Sequence, residues 1–204
     1  MKEGNFYPNE VWGCEYLHNK PYLEFKRMLY SNNFEIAYEL LNGNIVKLTT
    51  SFERYEYANI LKEYTLNNVA NVHDCGVITY KLKENQESFY YVELDYFPEN
   101  QEDVKNKEAF LQVFRHSCFG KYFKNGTFKD WEKCFRVKNE SYLKDIEMII
   151  RKESESIDNG GIIIKMYHDL CAAYREVYHV IPEFQLNLCY ENLNVDNKKL
   201  VLVI

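Results

Sequence analysis

The sequence predicts an α+β protein in which a strand-rich half precedes a helical half that closes with a small β-hairpin. The first half alternates apolar and polar residues around the turn pair Asn42-Gly43, whereas the second half repeats apolar residues at helical spacing. Residues 98–100, Pro-Glu-Asn, break the pattern between the two halves. Strands and helices segregated in this way are typical of the α+β class.

Length and charge limit the classes of protein to consider. The chain has 204 residues, enough for one large domain or two small lobes. Its net charge of −6 argues against a nucleic-acid-binding protein. No apolar run reaches the length of a membrane span, and the first residues lack the apolar stretch of a signal peptide. We therefore expect a cytoplasmic protein without a membrane segment, whose 6 cysteines stay reduced.

The glycines exclude the common nucleotide-binding loops. The chain has 8 glycines, and none is spaced as G-x-G or precedes Lys-Ser or Lys-Thr at P-loop spacing. The motifs H-E-x-x-H and G-x-S-x-G do not occur either. Two His-x-Cys pairs, His73/Cys75 and His116/Cys118, do not complete a zinc set. We therefore expect neither a metal nor a cofactor.

The strand-rich half is predicted to follow an irregular extension over residues 1–25. Its strands are predicted at residues 34–41, 45–50, 69–82 and 89–97. Asn42-Gly43 tolerates the positive φ of a type I′ turn, which makes the first two strands a hairpin. Thr50 and Glu53 have the spacing of a capping box, which predicts a helix N-terminus. Four side chains of this helix are expected to point inward: Phe52, Tyr55, Ala58 and Leu61.

The helical half carries its apolar side chains at intervals of three and four residues. Helices are predicted at residues 104–123, 141–152 and 163–180. A closing hairpin is predicted from residues 193–195 and 200–203, with its turn at Asp196-Asn197.

Several of these segments resemble, in order, motifs of the protein-kinase-like fold. Residues 45–47, Ile-Val-Lys, resemble the V-A-I-K strand of that family, and the predicted helix follows them as it does there. Residues 188–203 resemble the catalytic loop and the hairpin after it. Residues 71–76 and 91–97 resemble the later strands of the amino-terminal lobe, and the whole resemblance spans about residues 28–204.

The resemblance implies a two-lobe arrangement. An antiparallel-sheet lobe with one helix would cover residues 26–97, after the extension over residues 1–25. A truncated, mainly helical carboxy-terminal lobe ending in the β-hairpin would cover residues 98–204.

Departures from the family pattern imply a degenerate, truncated pseudokinase. Residues 30–35 stand where the family has its glycine-rich loop, and none of them is a glycine. Glu35 puts a negative charge where the triphosphate would lie. In the register fixed by Asn192, the catalytic aspartate becomes Asn187, whose amide cannot act as a base near neutral pH. The D-F-G aspartate falls at Ile204, so the activation segment and substrate-binding helices that follow it in the family are expected to be missing.

Three residues remain as candidates for a remnant nucleotide site, and we expect no catalytic residue. Lys47 would pair with phosphates, Glu56 on the next helix would hold Lys47, and Asn192 would bind metal, as the resemblance implies. Each also has a structural interpretation. Lys47 would then reach solvent along its aliphatic stem, Glu56 would form an ordinary ion pair, and Asn192 would hold its loop by hydrogen bonds.

Residues 121–138 form a basic, aromatic-rich stretch. Aromatic rings beside cations suit single-stranded nucleic acid, and they also suit a protein contact. The net negative charge of the chain instead favours a solvated helix face with apolar residues packed inward. The candidate partner-binding residues are Lys121, Lys124, Phe128, Lys129, Trp131 and Lys133.

These features predict a non-catalytic, kinase-like binding module that regulates or inhibits a partner protein. The Tyr-rich usage, 18 tyrosines with many Asn and Lys, fits a phage or mobile-element protein that blocks a host defence factor. One alternative is an atypical phosphotransferase or nucleotide-binding protein that uses Lys47 and Asn192. A second is a nucleic-acid binder through residues 121–138. If the later helices are missing, the inner face of residues 163–180 and the hairpin lack cover, which predicts a homodimer or a complex.

Overall fold

The structure, a computed structural model, describes residues 25–31, 35–82, 85–116, 128–185, 192–196 and 198–204. These residues divide into two compact units. The first, the sheet unit, holds the described residues up to Thr65 together with Asn71–Tyr96. The second, the helical unit, holds Leu66–Ala70 and the described residues from Phe97 to Ile204. The predicted extension over residues 1–25 lies outside the described residues, apart from its last residue.

The sheet unit is built on an antiparallel sheet of five strands in the order β1-β2-β3-β5-β4. The strands are β1 (Phe25–Ser31), β2 (Glu35–Leu40), β3 (Ile45–Thr49), β4 (Val72–Leu82) and β5 (Asn85–Leu94). Helix α1 (Phe52–Leu61) follows β3 and lies against β4 and β5. Strands β2 and β3 are buried along their whole length, so each polar side chain on them needs a partner inside the protein. The predicted α+β class is confirmed.

The hairpin between β2 and β3 has a different turn from the predicted one. Gly43 has a φ of 92°, and Asn42 has no positive φ. The Gly43 N–H donates to the Leu40 carbonyl at 3.1 Å, and the Leu40 N–H donates to the Asn44 carbonyl at 2.8 Å. A type I′ turn needs positive φ at both central residues, so this is a type I turn followed by a left-handed glycine. The predicted hairpin is confirmed, and its predicted turn type is wrong.

Helix α1 begins one residue later than the capping-box pattern predicts. Ser51 is the capping residue, because its hydroxyl accepts a hydrogen bond from the Arg54 N–H at 3.3 Å. The buried face consists of Tyr57, Ala58 and Leu61. Ala58 and Leu61 point inward as predicted. Phe52 is 53% exposed and Tyr55 is partly exposed, although the rings of both contact Tyr90 of β5.

The helical unit contains four described helices and a two-stranded sheet. They are α2 (Gln101–His116), α3 (Phe128–Arg136), α4 (Glu140–Ser154), α5 (Gly160–Val180), β6 (Leu193–Asp196) and β7 (Lys199–Leu202). Helix α5 is central, because it contacts α2, α3, α4 and β7. None of the helices within the described ranges is long and apolar enough to cross a membrane.

Aromatic side chains form the centre of the helical unit. The Trp131 ring lies 5.3 Å from Phe114, 4.7 Å from Phe135 and 4.9 Å from Tyr174, each time edge to face. Aromatic pairs prefer this geometry, which adds to the free energy gained by burying the rings.

The closing hairpin is covered within the chain, contrary to the sequence-based expectation. Leu202 of β7 exchanges backbone hydrogen bonds of 2.9 Å with Asn68 and Ala70, in the segment between α1 and β4. The apolar hairpin residues are all buried: Leu193, Val195, Leu200, Val201, Leu202, Val203 and Ile204. The inner face of α5 is buried as well. The exposed apolar surface that predicted a homodimer is therefore not present on these elements.

We predict that two adjacent glycines at the start of α5 respond oppositely to alanine. A Cβ at Gly160 would lie 2.3 Å from the Ser154 carbonyl oxygen, whereas a Cβ at Gly161 meets nothing within 4 Å. Gly160→Ala should lower the free energy of unfolding by about 1–3 kcal/mol, because the clash is with backbone. Gly161→Ala, the control, should leave it unchanged or raise it by up to about 1 kcal/mol. Urea unfolding measures both, and equal midpoints for the two variants would contradict the packing described here.

Candidate functional site

Lys47 lies inside the sheet unit and does not reach solvent. It is 1% exposed and stands opposite Ala37 in the pairing of β3 with β2. Glu35 precedes Ala37 by two residues, so its side chain is on the same face and diagonal to Lys47. The Lys47 ammonium nitrogen lies 3.4 Å from Glu35 Oε1. The strand register therefore brings a carboxylate to the buried lysine.

Glu35 is the centre of a buried ionic cluster. Its second carboxylate oxygen accepts a hydrogen bond from the Arg54 guanidinium, and the Tyr30 hydroxyl donates to the first. The Glu35 side chain is almost fully buried, and Arg54 is partly exposed. We call these four residues, Tyr30, Glu35, Lys47 and Arg54, the Glu35 cluster.

The cluster keeps Glu35 ionised. Burial alone would raise the pKa of this carboxyl, because the charged form loses its hydration. The charges of Lys47 and Arg54, with the hydrogen bonds from Tyr30 and Arg54, outweigh burial and lower the pKa below its ordinary value of 4.5. Glu35 is thus a fixed negative charge at neutral pH, and it is matched inside the protein rather than presented to a ligand.

Glu56, predicted to hold Lys47, lies among the exposed residues of α1. The carboxylate that the structure brings to Lys47 is instead Glu35 of the neighbouring strand. The family resemblance directs attention to the helix after the lysine strand, whereas the actual pairing follows from the β2–β3 register. Glu35 was singled out from the sequence only as a charge in the place of the glycine-rich loop.

Asn192 is fully buried at the start of the closing hairpin. Its backbone carbonyl accepts a hydrogen bond of 2.8 Å from the Val203 N–H, which joins the two ends of the hairpin. This bond is made by the backbone, so it tests neither the metal-binding nor the structural interpretation of the Asn192 side chain. Asn187 lies outside the described residues. Within the ranges that the structure describes, no three His, Cys, Asp or Glu side chains form a group able to hold a metal ion.

A second buried ion pair, which the sequence did not indicate, positions strand β6. Lys107 of α2 lies 2.7 Å from Glu99, and both are largely buried. The Lys107 ammonium also donates to the Leu193 carbonyl at 3.1 Å, and Glu99 accepts from the Val195 N–H at 3.0 Å. Residue 99 belongs to the Pro-Glu-Asn break before α2, and no spacing in the sequence indicated its pairing with residue 107. The ion pair fixes the hairpin backbone.

Of the six predicted partner-binding residues, the structure describes the side chains of Trp131 and Lys133. Lys121 and Lys124 lie outside the described residues, and Phe128 and Lys129 fall in the first turn of α3. Lys133 is exposed, as a contact residue must be. Trp131 is only 1% exposed, so its assignment as a contact residue is wrong. Its helical spacing with Phe135 places it in the aromatic core, in line with the alternative of a solvated helix face.

The end of the same stretch borders a cavity of about 570 Å³ in the helical unit. Residues from the end of α3, the start of α4 and the end of α5 line it: Phe135, Arg136, Lys138, Glu140, Arg175, Tyr178, His179 and Pro182. The Arg136 guanidinium lies 5.7 Å above the Tyr178 ring, and that of Arg175 lies 5.9 Å from the Phe135 ring. We call this site the arginine cavity.

The polar contacts of the arginine cavity hold its side chains in place. Arg136 Nη2 donates to the Phe184 carbonyl at 3.1 Å, and the Tyr178 hydroxyl donates to the same carbonyl at 2.8 Å. Burial raises the pKa of Tyr178, so its hydroxyl stays protonated at neutral pH. Arg175 pairs with Glu140 at 2.8 Å, and both of these side chains are about half exposed.

Comparison with known proteins finds similarity only among solved structures. No protein-family model matches the chain, and no curated protein matches its sequence. The streptomycin–ATP–APH(2″)-IIa ternary complex is similar with a TM-score of 0.34 and 11% identity, over 98% of this chain and 71% of that one. The gentamicin–APH(2″)-IIa complex gives 0.36 and 12%, over 98% and 70%. ADP-bound aminoglycoside phosphotransferase APH(2″)-Ib gives 0.35 and 13%, over 97% and 70%.

These similar structures are aminoglycoside phosphotransferases, which have the protein-kinase-like fold. At TM-scores of 0.34 to 0.36 they assign no activity to this chain.

We predict that Glu35→Gln destabilises the protein in a pH-dependent way. At pH 7 the variant leaves Lys47 buried without its full counter-charge, which should lower the free energy of unfolding by about 3–5 kcal/mol. The pKa of Glu35 is lowered, so its contribution is complete above its ordinary value of 4.5 and is lost as pH falls through the lowered pKa. The difference between wild type and variant should therefore shrink below about pH 4.5.

Unfolding by urea at a series of pH values measures this difference. Glu56→Gln is the matched control, because it removes an exposed carboxylate and should change stability by no more than about 0.5 kcal/mol. A penalty that is the same at every pH, or the same in both variants, would show that the Glu35 cluster does not work as described.

Proposed function

We propose that this chain is a non-catalytic binding module of the protein-kinase-like type that regulates or inhibits a partner protein. The observation that carries the proposal is the Glu35 cluster. The one lysine that would hold phosphates lies buried against a carboxylate of its own sheet. Lys47 is 1% exposed and its carboxylate comes from the strand beside it rather than from the following helix, which supports a structural role.

The electrostatics of the cluster oppose nucleotide binding at Lys47. An ammonium can contact a carboxylate and a phosphate at once, so the ion pair alone does not exclude a nucleotide. Lys47 is however only 1% exposed, and a phosphate that reached it would lie close to the buried Glu35 carboxylate. Repulsion between these two negative charges opposes binding.

The absence of a catalytic base from the sequence supports the same proposal. In the register of the resemblance, Asn187 stands where a kinase has the aspartate that accepts the substrate proton. An amide has no proton-accepting form near neutral pH. With Lys47 paired to Glu35 and an asparagine in the place of the catalytic base, the surfaces of the chain remain available for recognition. Recognition is the function that we propose.

We predict that MgATP does not bind at millimolar concentration. Thermal unfolding with about 5 mM MgATP should match unfolding with magnesium alone, whereas a ligand at 100 times its Kd adds about 2.7 kcal/mol. Transfer of γ-phosphate to protein or aminoglycoside acceptors should be absent. A clear stabilisation that persists in Lys133→Met but is lost in Lys47→Met would contradict the proposal and would establish the alternative of an atypical phosphotransferase or nucleotide-binding protein.

We also predict a stoichiometric protein partner. The tagged chain, expressed in its natural source, should co-purify with one protein at a constant ratio through affinity capture and size exclusion. Light scattering of the purified chain at micromolar concentration is the control. It shows whether the chain forms a homodimer by itself, which would not require a second protein. Recovery of the chain as a monomer, with no other protein at a constant ratio, would contradict the proposal of a binding module.

A further inference from the structure

We propose that the arginine cavity binds an acidic segment of a protein partner, which inserts an aromatic or aliphatic side chain flanked by carboxylates. The inference rests on the proposed function, because it names the chemistry by which a partner would be recognised. It concerns residues of the helical unit only, and none of them belongs to the Glu35 cluster.

The charge of the cavity is opposite to that of the chain. Arg136, Lys138 and Arg175 contribute three permanent cations to the lining, against the single carboxylate of Glu140. The whole chain carries a net charge of −6. A concave surface lined by one sign of charge concentrates its field and attracts groups of the opposite sign. The cavity is therefore complementary to anions, although the protein as a whole repels them.

The arginines are held in positions that suit carboxylate binding. Arg136 lies over the Tyr178 ring, and its Nη2 is fixed by the Phe184 and Glu183 carbonyls at 3.1 and 3.4 Å. A guanidinium carries five N–H donors, and the two carbonyls are contacted by Nη2 alone. Side chains that are already positioned lose less freedom on binding, which favours affinity.

Glu140 indicates the type of ligand that the cavity accepts. Its carboxylate pairs with Arg175 at 2.8 Å at the cavity wall. Both side chains are about half exposed, so this pair contributes little to stability and exchanges at low cost for a carboxylate of a partner. Arginine takes carboxylates in a bidentate geometry that lysine cannot match. A partner glutamate or aspartate would extend a contact that the chain already makes.

The lining also provides an apolar floor beneath the cations. Phe135 is buried, Tyr178 is half-buried and Pro182 is exposed at the edge. A volume of about 570 Å³ exceeds what one ion needs and accommodates a large side chain with its neighbours. Arginine and tyrosine around a buried aromatic floor, with charged residues at the rim, make up the usual composition of a protein-contact hot spot.

Selection from a random 12-residue phage-displayed peptide library against the full chain tests the inference without a chosen ligand. Enriched peptides should be acidic and should contain an aromatic or leucine side chain. A synthetic copy of an enriched peptide should lose at least about tenfold in affinity for the double variant Arg136→Gln, Lys138→Gln. The matched control, Lys144→Gln with Lys152→Gln, changes the net charge equally on exposed residues outside the cavity and should bind within about twofold of wild type.

Two further measurements apply if the double variant does not fold. The first is the peptide affinity of the single variant Lys138→Gln. The second is the peptide affinity of the wild-type chain at increasing salt, which should fall because salt screens the cations. Enrichment of neutral or basic peptides, or equal affinity for the cavity and control variants, would overturn the inference. So would stabilisation by phenyl phosphate without any peptide enrichment, which would assign the cavity to small anions. The MgATP experiment probes Lys47 in the sheet unit, so the two proposals fail separately.

Discussion

The buried charge of Lys47 is the constraint that organises the sheet unit. An ammonium cannot leave water without a counter-charge, and Glu35 supplies it at 3.4 Å from the neighbouring strand. The contact exists only in the observed register, because a slip of one residue would turn Glu35 to the opposite face of the sheet. Burial raises the pKa of Glu35, and the charges of Lys47 and Arg54 together lower it, so the carboxylate stays ionised at neutral pH. The ion pair and the pairing of β2 with β3 therefore specify each other.

The two charged sites of the protein differ in how their charges are satisfied. In the Glu35 cluster, donors and acceptors meet within the sheet unit and little is left for a ligand. In the arginine cavity, the cations stand at an exposed rim over aromatic rings, and their internal carboxylate is itself half exposed. The first arrangement satisfies its charges inside the sheet unit. The second leaves its cations exposed, and this difference supports the recognition role that we propose.

Local signals in the sequence predicted local structure well. Asn42-Gly43 predicted the hairpin, because an asparagine–glycine pair bends a chain almost regardless of its surroundings, but the turn type depends on the φ of Asn42 in the folded protein. Glu35 was missed as the partner of Lys47 because a diagonal pair follows from the register, which the sequence does not display. Trp131 was assigned to a surface because its neighbours are basic, although its spacing with Phe135 indicated burial. The arginine cavity could not be predicted, because residues 135–140 and 175–182 meet only through the packing of three helices.

The hydrogen bonds that join Leu202 to Asn68 and Ala70 make the helical unit discontinuous along the chain. The Glu176 carboxylate strengthens the same junction, since it accepts from both the backbone and the side-chain nitrogen of Asn68 at 2.9 Å. A helical fragment that begins at the Pro-Glu-Asn break would therefore lack residues 66–70 and leave the Leu202 N–H and carbonyl without these partners. Anyone dissecting this protein into separately expressed pieces has to carry residues 66–70 along with the helices. Recombination between relatives faces the same restriction, because a crossover at the apparent boundary would exchange one side of that junction without the other.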